Sequence, residues 1–401
     1  MLPRRDVLRA ALLGAVGSLL AACGVRSPTV EPSPLPTGTP RPSPTPTVGA
    51  TESTPTPGPS LRQRIAGLLI VGFRGATLTN APWLRTALAE DGLGGVILFD
   101  RDQLTGEDRN ISSPEQLTAL TAELRAAAPG RQIIVAVDQE GGVVTRLSPK
   151  HGFPAVASEA EIGAGTIDAA RTWATTIATT LAGVGINLNF APVVDLNVNP
   201  DSPAIGALDR SFSADPNVVV EMATIEIDAH RVARVRTTLK HFPGIGSSTT
   251  NTDFGVADVT NTWTRTELEP FRRLIATGDA DLVMAGHVVN GQLDPDRPAS
   301  LSRPTVTDLL RGELGWTGAV VTDDLQAAAI DGAFGRDEAI VLALEAGCDL
   351  LLFANQQVYD PAIVNAAIGA IIAAVDSGRL SEARIDESVA RVGTLFAAVG
   401  D

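Results

Sequence analysis

The chain has 401 residues, with 38 glycines, 27 prolines, four histidines and two cysteines, and a formal net charge of -15 at pH 7. Its length and its apolar share of 44% allow a sizeable core, two cysteines exclude a disulfide framework, and so acidic a chain would repel nucleic acid. With few histidines and no Cys and His cluster at ligand spacing, the sequence argues against a zinc site or any other metal centre.

The N-terminus holds Arg4 and Arg5, then Asp6-Val7-Leu8, an apolar segment from Ala10 to Leu20, and Ala21-Ala22-Cys23. Residues 1–22 read as a secretory signal of twin-arginine type ending in a lipobox, with Cys23 as the lipid attachment point. The apolar segment is too short for a good transmembrane span, so the expectation is an extracytoplasmic lipoprotein held to the membrane through Cys23. Loss of the leader would take the charge to about -17. Residues 23–60 are rich in Pro, Thr and Ser and nearly free of large apolar side chains, which makes them a tether rather than a core. Extended proline-rich chain of that length reaches on the order of 100 Å. Cys348 is left without a partner and reads as a small buried residue.

From residue 61 onward, eight hydrophobic runs alternate with stretches of helical periodicity. The runs are Leu68 to Phe73, Gly95 to Phe99, Ile133 to Val137, Ile186 to Val194, Thr237 to Leu239, Leu282 to Ala285, Ala319 to Val321 and Leu350 to Phe353. Helices are predicted at Pro114 to Ala128, Ile167 to Leu181, Val218 to Val232, Arg265 to Thr277, Asp337 to Ala346, Pro361 to Asp376 and Glu382 to Ala398. This pattern predicts an α/β fold, a single TIM-type (β/α)8 barrel domain over 61–401, with a doubly wound open sheet as the rival.

Barrel enzymes gather their sites at the C-terminal ends of the strands. Those ends carry Asp100, Asp138, Asp195, Lys240 with His241, His287, Asp323 and Asn355. One acidic residue there serves equally well as the cap of the next helix, but several carboxylates converging with Lys and His point to a site. Gly141 and Gly142 lack phosphate-loop spacing and read as a tight turn after the third strand.

Seven segments recur in order along the barrel: Val137-Asp138-Gln139-Glu140-Gly141-Gly142 with Arg146, Asn189 to Asp195, Asp209-Arg210-Ser211-Phe212, Lys240-His241-Phe242-Pro243-Gly244, Ala285-Gly286-His287, Pro298 to Ser302, and Thr322-Asp323-Asp324-Leu325. Together they resemble glycoside hydrolase family 3, and within it the single-domain bacterial β-N-acetylhexosaminidase branch. That resemblance implies a retaining hydrolase of terminal β-linked N-acetylhexosaminides, from peptidoglycan or chitin-type fragments, acting as a monomer on a small carbohydrate without a cofactor. It implies Asp323 as nucleophile, with Asp324 opening the following turn. Asp138, Arg146, Arg210, Lys240 and His241 match positions that grip the sugar by charge-assisted hydrogen bonds, and His287 matches a position beside the site. The bland alternatives are a structural ion pair for Arg146 and Arg210 and a satisfied buried histidine for His287.

The chain departs from the branch in one loop. Where the branch has an Asp-Ser-His triplet that carries the acid/base, this sequence has Asn251-Thr252-Asp253. Asp253 is the expected proton donor, its pKa raised by burial and by the Asp323 charge. The alternatives are that His287 or another rim group supplies the proton, or that the acid/base is lost and the chain is a catalytically impaired sugar-binding lipoprotein. A family 3 enzyme of other specificity, such as a β-glucosidase, also stays open. Only 78 residues follow Asp323, too few for the second domain that supplies the acid/base in the two-domain β-glucosidase branch. Tyr359 is the only tyrosine, which favours a short pocket over a long stacking cleft.

Overall fold

The computed structural model describes residues 58–251 and 255–397. The expected signal segment, Cys23, nearly all of the tether, and Asp253 lie outside the described residues. Among the described residues no helix is long and apolar enough to cross a membrane.

Each of the eight predicted runs overlaps a parallel strand: β1 Leu69–Gly72, β2 Gly95–Ile97, β3 Ile134–Val137, β4 Leu188–Asn189, β5 Thr238–Phe242, β6 Leu282–Ala285, β7 Val320–Thr322 and β8 Leu351–Phe353. They form one five-stranded sheet in the order β8-β1-β2-β3-β4 and one three-stranded sheet in the order β7-β6-β5. No unbroken ladder closes all eight into a ring. Isolated parallel bridges stand between the two sheets, Leu188 with Arg236 and Val193 with Lys240 at one junction, Val321 with Leu350 at the other.

The strands read as apolar runs because both their faces are buried. Ile70, Ile97, Ile134, Ala136, Leu188, Leu282, Met284, Val321 and Leu352 belong to one small cluster, joined by Leu395 from the C-terminal helix Glu382–Ala397. Their neighbours Leu69, Val71, Val96, Val135, Val283, Val320 and Leu351 belong to the larger cluster that packs against the helices. Successive side chains point to opposite faces of a strand, so one run supplies both layers.

The helices begin where their caps are. Ser113 accepts the Gln116 N–H ahead of Pro114–Ala126, Thr166 the Ala169 N–H ahead of Ile167–Gly183, and Asp215 the Asn217 N–H ahead of Pro216–Val232. Arg336–Ala346 and Ile363–Asp376 follow as predicted, while Arg265–Thr277 divides into a 3-10 turn, Arg265–Leu268, and the α-helix Glu269–Thr277.

Two strands differ from expectation in extent. β4 is two residues long rather than nine, because Pro192 has no N–H to continue a ladder, and the chain holds on through single bonds such as Thr238 N–H to Ala191 O at 2.8 Å. β5 continues through Lys240 and His241, whose polar side chains are buried against carboxylates. The turn at Gly141 and Gly142, with φ of +97° and +57°, belongs to a small antiparallel pair, Gln139–Gly141 with Val144–Thr145. A second excursion after β6 pairs Val288–Asn290 with Asp294–Pro298 and with Ala257–Asp258.

Arg109 ties the first and last strands together. It is fully buried and donates to the carbonyls of Phe73 at 2.7 Å and of Ala354 and Asn355 at 3.0 Å each.

Candidate active site

A cavity of about 550 Å³ opens where the strands end, lined among others by Asp100, Asp138, Glu140, Arg146, Arg210, Lys240, His241, Asn251, Asp323 and Asp324. Its lining also includes Ile97, Met284 and Leu352 from the small apolar cluster, so the polar groups stand beside an apolar support.

One wall is an ion network. Lys240 Nζ lies 2.6 Å from Glu140 Oε1 and 3.0 Å from Asp138 Oδ1. Glu140 also takes a forked pair from Arg210, Nε to Oε2 at 2.7 Å and Nη2 to Oε1 at 2.8 Å. Arg210 donates a further bond to Ala204 O at 2.8 Å, and Arg146 Nη2 stands 3.9 Å from Asp138 Oδ2 with its guanidinium 5.5 Å from the Phe99 ring centre. Burial alone would push Glu140 up, but the Arg210 and Lys240 charges hold its carboxyl far below the ordinary range. Burial likewise pulls Lys240 down, and Glu140 and Asp138 more than restore it, so its ammonium persists.

A second wall is the couple of Asp195 and His241. Asp195 follows β4, has no solvent exposure, and accepts the His241 imidazole Nδ1–H at 2.7 Å and the His241 backbone N–H at 3.1 Å on Oδ2. Its Oδ1 takes the Ile245 N–H at 2.8 Å. With Nδ1 engaged, Nε2 is the nitrogen His241 can offer to a bound molecule.

Asp323 stands one residue beyond β7. Its backbone N–H bonds Ala285 O at 3.0 Å, and its Oδ1 accepts the Asp324 N–H at 2.8 Å. Burial pushes its carboxyl up, but His287, His241, the Asp324 N–H and Lys240 together bring it below the usual value. It is thus an ionised carboxylate facing a cavity, the state a nucleophile needs. Asp324 turns away from that role: its Oδ1 accepts the N–H groups of Gln326 at 3.1 Å and Ala354 at 2.9 Å, as the start of a turn does.

The structure therefore brings Asp138, Arg146, Arg210, Lys240, His241 and Asp323 to one cavity. His287 does not line it. Its Nε2–H donates to Asp324 O at 2.8 Å and its Nδ1 lies 2.7 Å from Ser300 Oγ; burial lowers its basicity, the Asp323 charge opposes that shift, and the ring supports the peptide behind Asp323. Asn251 lines the cavity, with its Nδ2 3.5 Å from Pro203 O, while Asp253 is outside the described residues. Glu140 was not among the predicted site residues, although it is two positions from Asp138 at a strand end, where alternate residues share a face. Among the described residues no group of His, Cys, Asp and Glu could hold a metal ion.

An ionised strand-end carboxylate facing a pocket walled by forked Arg, Lys and carboxylate groups is the arrangement of a glycoside hydrolase. The chain belongs to glycosyl hydrolase family 3: residues 60–395 match the model of the family's N-terminal domain. It is 37% identical over 316 residues to a protein of Xylella fastidiosa (strain M23) named beta-hexosaminidase, covering 76% of this chain and 87% of that one. A beta-hexosaminidase of Tolumonas auensis is 37% identical over 292 residues, covering 70% and 81%. Among solved structures, a beta-N-acetylhexosaminidase from Beutenbergia cavernae DSM 12333 superposes with a TM-score of 0.74 at 35% identity, covering 85% of this chain and 99% of that one. A glycoside hydrolase family 3 beta-N-acetylglucosaminidase from Paenibacillus sp. str. FPU-7 gives a TM-score of 0.77 at 38% identity; this chain spans 63% of that structure's length.

Proposed function

We propose that the chain releases terminal β-linked N-acetylhexosamine with retention of configuration, through a covalent intermediate on Asp323. The observation that carries this reading is the ionised Asp323 carboxylate set in the same cavity as the Asp138, Glu140, Lys240 and Arg210 network. In the first step a carboxylate oxygen of Asp323 bonds to the anomeric carbon as the glycosidic C–O bond breaks, and the leaving oxygen takes a proton from a general acid. In the second step water, giving its proton to the same group, displaces Asp323 and restores the carboxylate. On the sequence pattern that group is Asp253. The fixed charges of Asp138, Lys240 and Arg210 would orient the sugar hydroxyls and so hold the anomeric carbon against Asp323.

The scaffold we infer is a closed eight-stranded barrel. The parallel bridges between β4 and β5 and between β7 and β8, together with the single inner cluster shared by strands of both sheets, support it. We also propose that Cys23 carries lipid and tethers the enzyme outside the cytoplasm, and that peptidoglycan or chitin-type fragments are its substrates. Labelling of expressing cells with a radioactive fatty acid should mark the protein and fail to mark Cys23→Ser.

The deciding experiment is release of the chromophore from an aryl β-N-acetylglucosaminide and an aryl β-glucoside, beside Asp323→Ala. Turnover of the first substrate that falls at least about 1,000-fold in the variant supports the proposal. Preference for the glucoside would reassign the sugar. Absence of turnover on both, with N-acetylglucosamine binding still measurable by calorimetry, would establish a sugar-binding protein, the reading favoured by Asn251-Thr252-Asp253 in place of the triplet.

A further inference from the structure

The turn after β5, Gly244 to Ser248, is gripped from two sides by carboxyl groups. On one side Asp195 holds the Ile245 N–H through Oδ1 and His241 through Oδ2. On the other, Glu267 in the 3-10 turn Arg265–Leu268 accepts the Ser247 N–H on Oε2 at 3.3 Å. Gly244 has φ +104°, and a Cβ placed there would stand 2.8 Å from Glu267 Cβ, so the turn is seated on that side chain. Trp263 fixes the same segment by donating its indole N–H to Pro243 O at 3.0 Å. Glu267 has no solvent exposure, and its Oε1 has no hydrogen-bond partner among the described residues.

We propose that Glu267 is a positioning residue: as the neutral acid it seats the Gly244 to Ser248 turn, and through that turn the Asp195 and His241 couple at the cavity wall. This rests on the hydrolase reading above. Burial raises the Glu267 carboxyl to about 7; hydrogen bonding from Ser247 opposes the shift and the Asp195 charge adds to it. The charged group that faces Glu267 is Asp195, with His241 bonded to that carboxylate's Oδ2; Ser247, Thr264 and Gly244 around it are neutral. While Glu267 keeps its proton, one buried negative charge acts on the turn. When it ionises, two like charges act on the same turn at low dielectric. The strain is relieved by moving the turn, and that change reaches His241 beside Asp323.

The sign follows from the neutral form being the working one: activity is present below the Glu267 pKa and lost as pH rises through it. Turnover of an aryl β-N-acetylglucosaminide by the full chain, measured from pH 5 to 9, should show an alkaline limb in kcat near pH 7. In Glu267→Gln, which keeps the shape and cannot ionise, that limb should move up by about one unit or more. In Glu267→Ala kcat should fall about tenfold or more at every pH with KM changed less. An alkaline limb shared by wild type and Glu267→Gln, or full activity of Glu267→Ala at pH 6, would overturn the proposal. In the unaltered protein, carbon-13 NMR of the glutamate carboxyls should show Glu267 titrating with the kcat limb, and titration in the ordinary carboxylate range would overturn it whatever the variants do. Absence of wild-type turnover at any pH would defeat the hydrolase reading and this one together, whereas turnover with an unmoved limb defeats this one alone.

Discussion

Lys240 Nζ stands 2.6 Å from Glu140 Oε1, in an ion pair whose side chains are only 2% and 1% exposed. Glu140 holds Arg210 as well, so it is the anion on which two buried cations depend. Replacing it with Gln deprives Arg210 of its forked carboxylate and leaves Lys240 with Asp138, and breaking a buried pair from one side costs about 3 to 5 kcal/mol. Urea unfolding of Glu140→Gln should show a loss of that order, with KM raised in the protein that remains folded. Adding Lys240→Met should recover part of the stability; a double variant whose loss equals the sum of the singles would mean that the pair is not coupled.

Asp323 makes a prediction on the acid side. A carboxylate whose pKa is lowered in the folded state stays ionised further into acid, so the acid limb of kcat/KM should lie below the ordinary carboxylate range. His241 is one of the groups that lower it. His241→Gln should therefore move the acid limb upward, and a pH profile with the limb in place would remove His241 from that role.

Asp349 is a structural counterpart far from the chemistry. It is fully buried, and its Oδ2 accepts Arg311 Nη2 at 2.6 Å and Val320 N–H at 3.1 Å. Its Oδ1 accepts Ser388 Oγ at 2.7 Å, Arg391 Nη1 at 3.1 Å and Arg384 Nη1 at 3.3 Å, which ties the helix Glu382–Ala397 to the chain entering β8. Asp349→Ala should cost about 3 kcal/mol or more in thermal or urea unfolding. The kcat of the folded fraction should be unchanged; a fall in kcat would show the helix to be coupled to the site.

Gly246 lies where the turn after β5 crosses the chain after β4. A Cβ there would stand 1.7 Å from Leu196 O, and backbone cannot swing aside as a flexible side chain can. Gly246→Ala should lower kcat/KM about 100-fold by displacing the turn next to Asp195 and His241. Gly369 in the helix Ile363–Asp376 is the control, since a Cβ added there would meet nothing within 4 Å. Gly369→Ala should raise stability by about 0.5 to 1 kcal/mol and leave the kinetics alone.

Much of the scaffold was legible in the sequence because strands buried on both faces leave unbroken apolar runs. The short polar pairs, Gln139–Gly141 with Val144–Thr145 and those after β6, left no such trace. At the site, Asp138, Lys240, His241 and Asp323 stand at or just past strand ends and could be read from position and from resemblance. Glu140 and Glu267 could not be read by polarity, since a charged residue in sequence looks like solvent-facing surface. What buries them is compensation from distant residues, Arg210 for the first and the Ser247 N–H for the second. The two readings of His287, beside the sugar or a satisfied buried histidine, are separated by its bonds to Ser300 and Asp324 O, which only the folded chain displays.

Leu69 is paired with Leu351 and Val71 with Phe353, and Arg109 bridges the two strands just past their C-terminal ends. The partner of the first described strand is therefore made long after it. Until then β1 has an unsatisfied edge, open to wrong pairings with other nascent chains. A chain built this way behaves as a clasp rather than a stack: β1 is secured on that side only when β8 arrives, and loss of β8 strikes β1 first.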